Sequence, residues 1–202
     1  MGTLHLFAIG IDEVRDFFRA SPELAARLGT SAANRVAVAN QPVLQQPSLL
    51  ARVGPLFRHS IEPAPALPDG PAPGDIENIL AGRYVAPGRI RQCWQLVEGW
   101  LGDEGWGDFR QEATRIQLQN ANFDFTRAGI SSQFDLVRLM GRDPQVPLRP
   151  AAGLTVGYSG FDHVTSTGAA LRGAMDQVLP ATRPFAEALL GFLESFPDWD
   201  RQ

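Results

Sequence analysis

The sequence predicts one helix-rich domain over residues 1–202, of the α/β or α+β class, with a small mixed sheet and proline-rich loops. Three observations lead there. The chain opens on an apolar run, "TLHLFAI" (3–9), that alternates like a strand. Its best-patterned stretch, "APGRIRQCWQLVEGWLGDEGW" (86–106), puts Ile90, Cys93, Trp94, Val97, Trp100 and Leu101 on one side of a helix. The 20 glycines and 16 prolines cut the rest into short elements, while 44% hydrophobic and 20% charged residues are enough to build an ordinary core.

After the strand, Gly10 breaks the run. "IDEVRDFFRA" (11–20) reads as a short helix with Asp12 as its cap and Val14, Phe17 and Phe18 on one face. "SPELAARLG" (21–29) is punctuated as another: Ser21 at the N-cap, Pro22 at the first helical position, Gly29 as the stop. "RVAVANQPVLQQ" (35–46) suggests a brief strand, and "PSLLARVGPLFRHS" (47–60) a helix broken near Gly54 and Pro55. Residues 61–74 carry five prolines, too few backbone donors for a regular ladder, and read as a surface loop within the domain.

The tryptophan-bearing helix follows, with Trp94 and Trp100 expected in the core. Over 107–130 a short strand and an irregular crossing both stay open. "SSQFDLVRLMG" (131–141) reads as a helix capped by Ser131 or Ser132, with Phe134, Val137 and Met140 facing inward. "RDPQVPLRPAAG" (142–153) is a second proline-rich connector. The end is helical: Leu171, Met175 and Val178 share a face before Pro180, and Phe185, Leu189, Leu190 and Phe196 form a second stripe. Pro180 and Pro184 mark a tight turn between the two.

All 18 basic residues are arginine, against 22 acidic ones, for a formal net charge of −4 with no basic block. That argues against nucleic acid as a partner, because phosphate contacts need concentrated positive charge. The mild acidic excess suits a basic protein partner. A single cysteine, Cys93, excludes an internal disulfide and a multi-cysteine zinc site. The opening lacks the charged n-region of a secretory signal, and Leu6 stands where a myristoylation signal has serine or threonine. The expected setting is the cytoplasm, with no membrane partner.

"GYSGFDHVTS" (157–166) places a serine, an aspartate and a histidine close together. A nucleophile elbow requires Gly-x-Ser-x-Gly. Here Gly160 comes one position early and Phe161 occupies the required place, so the strained turn would be crowded. Asp162 and His163 are adjacent, whereas triad members come from distant parts of a chain. The simpler reading is an extended segment, a turn at Asp162, and a helix capped by Thr165 or Ser166 and starting near Gly168. The three histidines are far apart in sequence and follow no metal-ligand spacing, and no glycine-rich phosphate loop follows the first strand. No cofactor or metal is therefore expected.

Two stretches resemble a known group. "MGTLHLFAIGIDEVRDFFRASPEL", and "LVRLMGRDPQVPLRP" followed by "GYSGFDHVTSTGAALRGAM", are similar to segments of the YfbM-like group of small bacterial proteins and their actinobacterial relatives. The matching positions are Pro147, Pro150, Gly157, Tyr158, Thr165 and the helix from Gly168; "TSTGAA" departs from the glutamates of the pattern. The resemblance covers about a third of the chain and implies a compact α/β protein, with no catalytic residue to carry over.

The expected function is a non-enzymatic protein-binding domain. By analogy with small bacterial domains, its specific form would be an immunity protein that neutralises a toxin. Contact residues are expected in "LGDEGWGDF", with Asp103, Glu104, Trp106 and Asp108, and in "FDFTRAG", with Phe123, Asp124, Phe125 and Arg127. The alternative is a small hydrolase-like enzyme with a cleft near 157–163. There Tyr158 would orient substrate, His163 act as acid or base and Asp162 position a donor, with Arg127 or Arg138 holding an anionic group.

Overall fold

The computed structural model describes residues 2–39 and 70–195. It is a helix-rich α+β fold, with seven α-helices and one two-stranded sheet among the described residues. Strand β1 (Gly2–Ala8) pairs antiparallel with β2 (Gly107–Ala113), setting Leu6 opposite Phe109 and His5 opposite Arg110. The sheet is thus purely antiparallel rather than mixed. Alternation sends Leu4, Leu6 and Phe109 to one face, and His5, Phe7 and Asp108 to the other.

Two apolar clusters flank this ribbon. The first joins Leu4 and Phe109 to α5 (Arg115–Arg127), α6 (Phe161–Ala174) and α7 (Arg183–Glu194). The second gathers Phe17 and Phe18, just after α1 (Ile11–Asp16), with α2 (Pro22–Ala39), α3 (Pro73–Leu80) and α4 (Ile90–Glu104). The chain between α5 and α6 bridges them: Leu139 packs in the first cluster and Leu148 in the second. Arg15 secures that crossing by donating from Nε to the carbonyl of Pro144 at 3.0 Å.

Helix α4 follows its sequence pattern except at Trp94, which was expected in the core. Cys93, Leu96, Val97 and Trp100 are buried, and Trp94 is half-buried. The α6 and α7 faces also agree, with Leu171, Val178 and Leu189 buried.

Elsewhere the structure corrects local expectations. Asp12 does not cap α1; the carboxylate of Glu13 reaches back to the N–H of Gly10 at 3.1 Å, and Asp12 pairs with Arg15 instead. Gly29 does not stop α2, which runs on to Ala39 through the first residues of the strand expected over 35–46, the rest of which lies outside the described residues. Leu28 and Ala32 are buried and Val36 packs beside them, so an apolar stripe of four-residue spacing outweighs the cost of about 1 kcal/mol for an interior glycine. Residues 73 and 74 open α3 rather than ending a loop. The helix expected at 131–141 is two 3₁₀ turns, Ser132–Phe134 and Leu136–Met140. Tighter winding brings Leu136 and Leu139 inward together and leaves Val137 63% exposed. The 47–60 helix, most of the 61–74 loop and Phe196 lie outside the described residues.

Cys93 has no exposed surface, and burial pushes its thiol up to about 12, helped by the nearby Asp75 and opposed by Arg89. The thiolate is the reactive form. At pH 8 the native thiol should therefore react with a disulfide reagent on the order of 100-fold more slowly than in urea-unfolded protein. Equal rates in the two states would contradict this burial.

Candidate functional site

The "GYSGF" segment is fastened to the preceding turn. Tyr158 and Arg142 exchange two backbone hydrogen bonds, 3.0 and 3.2 Å, and the Arg142 guanidinium lies 5.9 Å from the Tyr158 ring centre. Ser159 donates its hydroxyl to the carbonyl of Arg138 at 3.1 Å. A Cβ on Gly157 would sit 2.0 Å from the carbonyl oxygen of Met140, so only glycine permits this approach.

Gly160, not Thr165 or Ser166, is the N-cap of α6, which begins at Phe161. Asp162 and His163 thus fall in its first turn. Asp162 is exposed, where a negative charge complements the helix dipole. His163 tilts against Phe134 with ring centres 5.9 Å apart, and its buried Nε2 has no hydrogen-bond partner among the described residues. The hydrogen bond of Ser159 leads to Arg138, so it does not join serine to histidine. A surface cleft of about 380 Å³ lies elsewhere, between Pro87, Ile90, Arg91 and Gln92 on one side and Pro150 and Ala151 on the other.

The acidic stretch ends α4 and enters β2. Asp103 accepts hydrogen bonds from the Ser31 hydroxyl and from Arg35. Burial pulls its carboxyl up, but Ser31 and Arg35 together hold it below the usual range. Glu104 takes two hydrogen bonds from Arg27, at 3.0 and 2.6 Å. Asp108 meets Nε2 of His5 at 2.9 Å, while Glu98 meets its Nδ1 at 2.8 Å. These carboxylates tie α4 and β2 to α2 and β1. They do not form an unpaired acidic patch, so the structure gives them internal partners where the sequence suggested an external basic one. Trp106 is 43% exposed, with its backbone N–H donated to Ala8.

The "FDFTRAG" stretch divides within α5. Phe123 is 73% exposed, whereas Asp124 and Phe125 are buried and cannot meet a partner directly. One oxygen of Asp124 accepts from the Leu179 N–H at 3.0 Å and the other from Arg127, which also reaches the carbonyl of Gln177 at 3.4 Å. That pair fastens the turn between α6 and α7 to α5. Phe125 stacks on Phe185. The cause is helical geometry: Ala121, Phe125 and Ala128 face the core, which turns Phe123 outward.

Ile116, 66% exposed, lies seven residues before Phe123 and therefore on the same side of α5. The sequence leaves it unmarked, because 107–130 shows no clear helical stripe. The signal was present in "TRIQ", a capping box. Thr114 Oγ1 accepts from the Gln117 N–H at 3.2 Å, and Gln117 Oε1 accepts from the Thr114 N–H at 2.7 Å. Asn122 accepts the N–H of Leu136 at 2.9 Å, which sets exposed Val137 and Arg138 beside this helix.

No family model, curated protein or solved structure matches the chain. Among the described residues no group of three or more His, Cys, Asp or Glu is placed to hold a metal, and no helix is long and apolar enough to cross a membrane.

Proposed function

We propose that this is a binding domain that engages a protein partner through the outer side of α5. One observation carries the reading: Ile116 and Phe123, 66% and 73% exposed, stand two turns apart on a helix whose other side already fills the core. Covering a large apolar side chain contributes about 1.5–3 kcal/mol, and aromatic anchors of this kind dominate protein interfaces. The specific form we favour is an immunity protein acting on a bacterial toxin in the cytoplasm. Its support is the analogy with small bacterial domains and the single, buried free thiol, which suits a reducing compartment.

The test is a photo-crosslinking residue at position 123, with Glu187 on the exposed side of α7 as control position, in the native host. A discrete crosslinked protein at 123 and not at 187 is expected. The double variant Ile116→Ser, Phe123→Ser should keep its stability within about 0.5 kcal/mol, since both side chains are exposed, yet lose that protein. Identical crosslinks at both positions, or none at 123, would refute the reading.

A further inference from the structure

We infer that the partner presents an acidic segment to this face, an inference that rests on reading the outer side of α5 as the binding surface. The chain carries a formal net charge of −4. Yet from 115 to 142, which spans α5 and the turn beside it, every exposed charged residue is an arginine: Arg115, Arg127, Arg138 and Arg142. Of the two carboxylates in that span, one is withdrawn and the other is only half-buried. Asp124 is buried under Arg127 and Leu179, and Asp135 is half-buried.

The remaining exposed positions of α5, Gln117, Gln119, Asn120 and Thr126, are neutral. The outer side of α5 therefore offers the apolar anchors Ile116 and Phe123, with Arg115 and Arg127 on the same helix and Val137 and Arg138 on the adjoining turn, between the exposed carboxylates of Glu112 and Asp143. Its complement is a segment with apolar side chains flanked by aspartate or glutamate. A second copy of the chain would set arginine against arginine across a two-fold axis, which disfavours self-association. Nucleic acid is disfavoured by the net charge and by arginines spread along the span rather than clustered.

The probe is a displayed library of random 16-residue peptides panned on the full chain, with Ile116→Ser, Phe123→Ser as the counter-selecting variant. Peptides that depend on the two anchors should be enriched in Asp and Glu. They should bind about 10-fold more weakly at 0.3 M than at 0.05 M salt. They should also lose about 10-fold with Arg115→Glu, Arg138→Glu, both exposed positions where folding is unaffected. Anchor-dependent peptides that are neutral or basic, and indifferent to salt, would overturn the acidic partner while leaving the α5 reading intact. Failure to recover any anchor-dependent peptide would overturn both. Anchor-dependent binding of a single-stranded oligonucleotide, or a dimer in sedimentation that the double variant abolishes, would replace the acidic partner with nucleic acid or a second copy.

Discussion

Asp75→Ala should lose about 3–5 kcal/mol of folding stability in a urea titration followed by circular dichroism. The carboxylate is 7% exposed and faces Arg89, itself 15% exposed, at the junction of α3 and α4. Arg89 donates Nε to Asp75 at 3.1 Å and Nη2 both to Asp75 and to the carbonyl of Gly70. Its pairing with Asp75 holds the guanidinium even more firmly protonated than usual. The same carboxylate accepts the Ala72 N–H at 2.8 Å and so closes the first turn of α3. Alanine removes the anion that balances a partly buried cation and a helix cap in one step. Asp75→Asn retains an acceptor for Ala72 and should lose less than alanine. A loss below about 1 kcal/mol for alanine would show that the pair does not hold α3 to α4.

Trp100→Ala should lose about 3–5 kcal/mol by the same measurement, enough to bring a domain of ordinary stability near its unfolding threshold. The indole has no exposed surface. It meets Phe17 edge-on, with ring centres 6.0 Å apart, and donates Nε1–H to the Leu28 carbonyl of α2 at 3.0 Å. Removing it opens a cavity among α2, α3 and α4 that the surrounding elements fill only in part. Trp100→Phe keeps most of the volume and isolates the hydrogen bond, at about 1–2 kcal/mol. Trp94 is half-buried, with its indole N–H donated to Arg149 at 2.7 Å, so Trp94→Ala should cost clearly less. Equal losses at 94 and 100 would contradict the packing of α4.

The elements most legible in the sequence were those whose pattern is local and strong. The apolar stripe of α4, the two helices at the C-terminal end and the opening strand all bury the faces that their spacing marks. Strand β2 was hard to read because "GDFRQEA" has only one large apolar residue, Phe109, and its pairing is supplied by β1, about a hundred positions away. The two 3₁₀ turns at 132–140 escaped for a related reason: a change in winding, not in composition, turns Leu136 and Leu139 inward.

The candidate site shows the same division. Adjacent residues Phe123, Asp124 and Phe125 have similar standing in the sequence, yet the core takes two of them and leaves Phe123 outside. Asp103, Glu104 and Asp108 read as an acidic surface until Arg35, Arg27 and His5 arrive from distant positions. By itself the sequence determined which segments are amphipathic, that the charge balance is acidic and rests on arginine alone, and that one cysteine closes no disulfide. Those properties belong to single residues or to short-range periodicity. Tertiary structure alone decided that Gly157 serves a close approach to the Met140 carbonyl, that the acidic stretch is neutralised internally, and that Ile116 and Phe123 are left facing solvent. Each depends on which distant side chain or backbone carbonyl comes within a few ångströms, and residue spacing along a chain does not encode that distance.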